Sequence, residues 1–373
     1  MRLSLSLLAC LLTLPASAAT LVVLDKADDR ALLMDPETGR VIATLPTGVG
    51  PHEVAISPDG ERAVVSNYGR RSPGSSLTIL HVGEARVIRQ VDLGHDRPHG
   101  LVFLEDGRHA LSTAEGSEML LKVDTLTGDV VEALDTGGQV SHQVAWNARR
   151  SRAHVANIGT GDVSVVDPHV GALLQVLATG AGAEGIAVTP DGEQVWVSNR
   201  SADTVSVVDT GTLDELAELP SGDFPIRVAI TPDGRHALVT AARSGDLWVH
   251  DVTRRQVLRR IDLSAGDRSQ PGQSPTPIGV TCSSDGKRAF VSLSRAGELV
   301  EVDLRTFRVV ARHAAGREPD GVAWTDVDAH PDLRSDPLMG LSFGRRDLIS
   351  MWPPEPAISA PTPTREAPLP RVP

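Results

Sequence analysis

An all-β fold, a seven-bladed β-propeller of four-stranded antiparallel blades, is predicted by three features of this chain. A stretch running from Pro51 to Asn67 recurs along its length, the recurrence is spaced near 42 residues, and Val-rich runs of four to six residues alternate with turn signals. Turns of the Ser57–Gly60 kind (SPDG) align with Leu104–Gly107, Asn147–Arg150, Thr189–Gly192, Thr231–Gly234, Ser283–Gly286 and Thr325–Asp328. Their last residues fall at 60, 107, 150, 192, 234, 286 and 328, with successive differences of 47, 43, 42, 42, 52 and 42. The unit is therefore 42 residues, with insertions in two intervals.

One unit serves for all. Gly185–Val188 leads into the turn, Gln194–Asn199 (QVWVSN) leaves it, and Thr204–Asp209 (TVSVVD) and Leu213–Leu219 follow. Short β-branched runs bounded by Asp-Gly, Ser-Ala-Asp and Thr-Gly are strands rather than helices. With only 3% aromatic residues, the core must be built from Val, Leu, Ile and Ala, which suits sheets stacked face to face.

Met1–Ala19 has the form of a signal peptide: Arg2, an apolar run from Leu3 to Leu14, then small residues, with cleavage expected near Ala18 or Ala19. The apolar run is too short to span a bilayer. A rival reading takes Leu7–Cys10 as a lipobox, but that would leave a signal with almost no hydrophobic core. Cleavage removes Cys10 and leaves Cys282 as the only cysteine, so no internal disulfide is expected, and Cys282 is read as a small buried hydrophobe. The expected location is periplasmic or secreted.

The mature chain opens midway through a unit. Leu21–Asp25 matches a second strand and Ala31–Asp35 a third, while Gly321–Thr325 (GVAWT) is an inner strand with no blade after it. Pairing the N-terminal and C-terminal strands closes the ring and hides both edges. The expected organisation is a signal peptide over 1–19, one propeller domain over 20–352 and a Pro-rich tail over 353–373. Residues 329–351 are expected as an outer wrap on the closing blade.

Lys and Arg number 36 against 48 Asp and Glu, a net charge of −12, which disfavours nucleic acid and anionic lipid as partners. Enzyme motifs dissolve on inspection. Gly180–Gly185 (GAGAEG) fits a dinucleotide pattern but leads into a strand instead of opening a helix, and His52-Glu53 lacks the second histidine of a zinc-protease helix.

Val64–Asn67 (VVSN), His154–Asn157 (HVAN) and Trp196–Asn199 (WVSN), with third strands ending in Asp167, Asp209 and Asp251, resemble the YVTN-repeat, YncE-like β-propeller proteins of the bacterial periplasm. The resemblance covers nearly the whole mature chain, although the tyrosine of the family name never occupies its slot. It implies an exported propeller acting as a binding or interaction protein, with no shared catalytic residues.

A ring of residues carries the functional expectation. Two positions before the first inner-strand apolar residue, successive units hold His52, His99, His142, Glu184, Ile226, Ile278 and Asp320. Closure makes Asp320 a neighbour of His52, so five adjacent blades present metal-ligand side chains at the channel mouth. The candidate metal ligands are thus His52, His99, His142, Glu184 and Asp320. The ion expected is Zn²⁺, with Cu²⁺ or Ni²⁺ as alternatives. The bland reading is one inherited histidine copied by duplication and lining a polar, water-filled mouth.

Insertions at Asn67–Ser76 and around Ser264–Thr276 fall on the same face. Glu53, Arg70, Arg71 and Arg227 are the further ligand-face candidates. Two function classes follow: a binding or scaffold protein for an unidentified periplasmic protein or small ligand, or a metal-dependent hydrolase of lactonase type, with Glu53 or Glu184 as base.

Overall fold

The structure is a computed structural model that describes residues 19–264 and 273–331. Of the expected features, the signal segment apart from Ala19, residues 265–272 of the second insertion, residues 332–352 and the Pro-rich tail lie outside the described residues.

Seven four-stranded sheets make up the described chain, each antiparallel and in simple meander order. The inner strands of blades 1 to 7 are Pro319–Thr325, Pro51–Ile56, Pro98–Phe103, Ser141–Asn147, Ala183–Val188, Pro225–Ile230 and Pro277–Cys282. The seam falls in blade 1 as expected: Leu21 pairs with Trp324, Val22 with Ala323 and Val23 with Val322. Among the described residues the only helical element is the 3-10 turn Lys26–Asp28, and no helix is long and apolar enough to cross a membrane.

The turns that set the period are built by their own side chains. Ser57, Thr189, Thr231 and Ser283 hydroxyls donate to Asp59, Asp191, Asp233 and Asp285, and the same aspartates accept the backbone N–H two residues on. The Asn of the VSN-like runs is equally structural. Asn199 Nδ2 donates to Ser206 Oγ at 3.0 Å and Thr204 Oγ1 at 3.2 Å, and Asn157 Nδ2 to Ser164 Oγ at 2.8 Å, stapling second strand to third. This is why the motif reports fold and says nothing of function.

The core lies between blades rather than within one centre. Leu238 and Leu247 of blade 6 pack with Val291 and Val300 of blade 7, and Phe290 and Leu299 of blade 7 pack with Leu21 and Val23 of blade 1. Each blade needs both neighbours to bury its faces. Cys282 sits half-buried against the core of blades 6 and 7, and burial pushes its thiol up to about 12, so it behaves as a hydrophobe.

Candidate functional site at the channel mouth

Every inner strand carries a β-bulge at the ring register. In blade 2 the pairing runs from Pro51↔Asn67 to Val54↔Val65, so His52 and Glu53 together oppose Ser66. Strand alternation would send adjacent side chains to opposite faces; a two-against-one bulge breaks that alternation. Ser66 Oγ accepts the Glu53 N–H at 3.0 Å, and Thr113, Ser198 and Ser292 do the same for Gly100, Gly185 and Gly279. Thr113, Thr240 and Ser292 also donate to the carbonyls of His142, Ile278 and Asp320 on the following blade. At Gly185 a Cβ would lie 2.6 Å from the Ile226 carbonyl oxygen, so glycine there lets neighbouring inner strands approach.

A second ring surrounds the first. At one register, just after the second strand in six blades and within the longer Arg62–Gly69 strand in blade 2, a residue donates its N–H to the carbonyl two positions before a ring residue: Tyr68 to Gly50, Glu115 to Arg97, Ile158 to Val140, Arg200 to Gly182, Ala242 to Phe224, Ser294 to Thr276 and Lys26 to Glu318. Sequence reasoning missed Lys26, Tyr68, Glu115 and Arg200, although they stand at one fixed register, immediately after Asp25, Asn67, Ala114 and Asn199.

The three histidines form a row. His52 and His99 ring centroids are 4.3 Å apart, and His99 stacks on His142 at 3.5 Å. Tyr68 stands edge-on to His52 and His99 at 5.3 and 5.7 Å, with the Arg97 guanidinium 4.8 Å over its ring. Their chemical states differ. His142 has Glu115 Oε2 at 3.1 Å from Nδ1 and Glu184 Oε1 at 3.3 Å from Nε2. Burial pulls its pKa down, but the two carboxylates outweigh burial and hold it above the ordinary value. His99 is fully buried; desolvation, with His142 and His52 beside it, pushes its pKa well down and keeps it neutral. Neither of its ring nitrogens has a hydrogen-bond partner among the described residues. Such an orphaned buried group costs about 1–3 kcal/mol, so its retention needs an explanation.

The carboxylates are held by cations, each with one from its own blade. Lys26 Nζ lies 3.0 Å from Asp320 Oδ2, and Arg200 Nη1 2.9 Å from Glu184 Oε2. Burial would raise Glu184, but the His142 bond and the charges of His142, Arg227 and Arg200 bring it to about 2. Asp320 is likewise buried, yet His52 and Lys26 keep it well below the usual carboxylate range. His52 Nδ1 is 3.2 Å from Asp320 Oδ1.

Arg227, from blade 6, crosses to Glu53 on blade 2, its Nε 2.9 Å from Oε1, while its Nη1 is 3.3 Å from Glu184 Oε1. The Arg227 side chain is 8% exposed, so the bridge is largely removed from solvent. Ile226 is buried and Ile278 half-buried on the apolar side. Arg70 turns away to blade 1, 2.7 Å from Asp29 Oδ1 and donating to the carbonyls of Lys26 and Ala27, and Arg71 is exposed. Of the expected ring, His52 and His99 offer ligand atoms within 4.8 Å of one another together with Glu53, a ligand-face candidate outside that ring, whereas His142, Glu184 and Asp320 are each drawn into ion pairs that do not join this group's common centre.

Comparisons with known proteins agree with this architecture. Kuenenia stuttgartiensis hydrazine synthase aligns with a TM-score of 0.63 at 17% identity, covering 73% of this chain and 88% of that one. A functionally unknown protein from Desulfotomaculum acetoxidans aligns with a TM-score of 0.69 at 14% identity, covering 83% and 99%. The dihydro-heme d1 dehydrogenase NirN, in complex with DHE, aligns with a TM-score of 0.59 at 20% identity, covering 83% and 75%. At these identities the likeness is one of fold. No curated protein sequence matches the chain. Residues 108–272 match the family model described as YNCE-like beta-propeller, and the seven four-stranded sheets of the described chain are the architecture that description names.

Proposed function

We propose that this is an exported binding propeller that receives a small polar ligand, or a protruding group of a partner protein, in the cup at the channel mouth. The observation that carries this reading is the Arg227–Glu53 bridge, which joins blade 6 to blade 2 across the centre of the ring beside the clustered His52, His99, His142 and Tyr68 side chains. A mouth bridged across its centre is a receptor rather than a conduit. Export rests on the signal-like Met1–Ala19 and on the family resemblance.

The hydrolase reading is less well supported. Glu184, one candidate base, is paired with His142, Arg200 and Arg227 and held near 2, far from the pKa a general base needs at neutral pH. Glu53 is occupied by Arg227. A panel of lactones and phosphoesters with added Zn²⁺, Mn²⁺ or Ca²⁺ separates the two classes: no turnover is expected, and turnover abolished by Glu53→Gln would establish the hydrolase. Binding itself is tested by thermal shift with amino acids, dicarboxylates and polyamines. A ligand that stabilises the parent protein and fails to stabilise Tyr68→Ala and Arg200→Ala supports the cup. Stabilisation indifferent to both variants moves the site elsewhere.

A further inference from the structure

We propose that the cup holds one divalent transition metal ion on His52, Glu53 and His99, and that His142, Glu184 and Asp320 support this site without ligating. The proposal rests on the reading of the mouth as the working face, and it replaces a five-membered ring of ligands by a trio.

Three observations select the trio. His99 is 0% exposed with both ring nitrogens unpartnered, so it is aimed into the site with nothing of the protein to bond. The ligand atoms of His52, Glu53 and His99 already lie within 4.8 Å of one another. Closing around an ion with bonds of about 2.0–2.2 Å requires only small side-chain movements. The bulge at His52 and Glu53 supplies two adjacent residues to one cavity, which an unbroken strand cannot do.

The groups around the trio have the arrangement of an outer shell. Asp320, itself anchored by Lys26, stands 3.2 Å from His52 Nδ1 as an ion-pair contact without a hydrogen bond, so a His52 ring nitrogen is also without a partner in the site. Arg227 engages Oε1 of Glu53, which leaves Oε2 for ligation and fixes the carboxylate. His142 is clamped between Glu115 and Glu184 and stacks on His99, orienting that ring.

Two imidazoles and one carboxylate make a set suited to Zn²⁺, with Cu²⁺ and Ni²⁺ competing by intrinsic affinity, and they leave a fourth position free. His52 and Glu53 each keep 14% of their side chains exposed, so solvent reaches the trio, and the ligand class expected at that position is a small molecule or peptide end offering a carboxylate or amine donor.

The test is titration calorimetry and elemental analysis on the full chain with Zn²⁺ alone, and then with Cu²⁺ and Ni²⁺, each variant being checked for folding by its thermal melt. One equivalent is expected in the parent protein, with affinity reduced more than about 100-fold in His99→Ala and in Glu53→Gln, beyond the ~10–100-fold that loss of an outer-shell partner costs. His142→Gln is expected to keep one equivalent. Zinc X-ray absorption should fit two imidazoles. Absence of stoichiometric metal in the folded parent protein, or loss in His142→Gln as large as in His99→Ala, overturns the trio. Organic ligands that still bind the metal-free cup would leave the binding function standing while the metal site falls.

Discussion

The guanidinium of Arg227 and the carboxylate of Glu53 meet across the central channel although 174 residues separate them in sequence. Arg227 is buried and Glu53 half-buried, and Glu184 shares the same guanidinium. Removing one partner of a buried pair leaves an uncompensated charge and costs about 3–5 kcal/mol. Arg227→Met should therefore lower the urea midpoint strongly with an unchanged m value. Adding Glu53→Gln should recover part of the loss, because one stranded carboxylate is then neutral. A loss below about 1 kcal/mol in the single variant would mean that the bridge carries no weight in stability.

His154 predicts a pH dependence that is independent of the mouth. It occupies the slot of Val64 and Trp196 in sister blades, 2% exposed, and burial next to Arg150 and Arg152 lowers its pKa from 6.5 to about 4. The folded state thus favours the neutral ring. Its contribution is intact above 6.5 and is lost as pH falls from there toward 4. The shift corresponds to roughly 3 kcal/mol. Comparing urea unfolding of the parent with His154→Val at pH 7 and pH 4.5, the variant should lose distinctly less stability. Equal losses would place the acid sensitivity elsewhere.

Asn199→Ala removes the side-chain bonds to Ser206 and Thr204 and should destabilise by about 1–3 kcal/mol in chemical denaturation. Alanine already stands at that register at Ala114 and Ala241, so the fold should survive. Loss of folding altogether would show the staple to be more than an added increment.

Gly185→Ala tests the close approach of inner strands. Its Cβ would fall 2.6 Å from the Ile226 carbonyl oxygen and 2.8 Å from Ser198 Oγ, contacts that the backbone must yield to relieve. Overpacking of this kind costs about 1–3 kcal/mol. A melting temperature unchanged from the parent would show the interface between blades 5 and 6 to be looser than its geometry.

Blade count, seam and ring register were legible in the sequence because they depend on local chemistry repeated at a fixed period. The Ser57-to-Asp59 turn bonds and the Asn199 staple each involve residues within a few positions of one another. The mouth was legible only in part. Glu53 was named beside the ring, but its standing with His52 and His99 as one group of ligand atoms follows from the bulge opposite Ser66, which is a property of pairing. The partnering of His142 with Glu115, or of Glu53 with Arg227, depends on which blades face each other, and no spacing encodes that. The cations Lys26 and Arg200 could have been found by aligning the residue that follows each second strand.

The seam in blade 1 also governs when the molecule can form. Leu21, near the start of the described chain, has no partner on one side until Trp324 has been made, 303 residues later (324 − 21). The entropy of closing so long a loop grows only logarithmically, so the delay adds little to the equilibrium cost. Its effect is on rate: a contact of this sequence separation forms late, and until it does the edge of the N-terminal strand stays open to pairing with other chains. Native contacts that form after the transition state chiefly slow unfolding. The seam is therefore the place where this ring's lifetime, rather than its depth in free energy, is set.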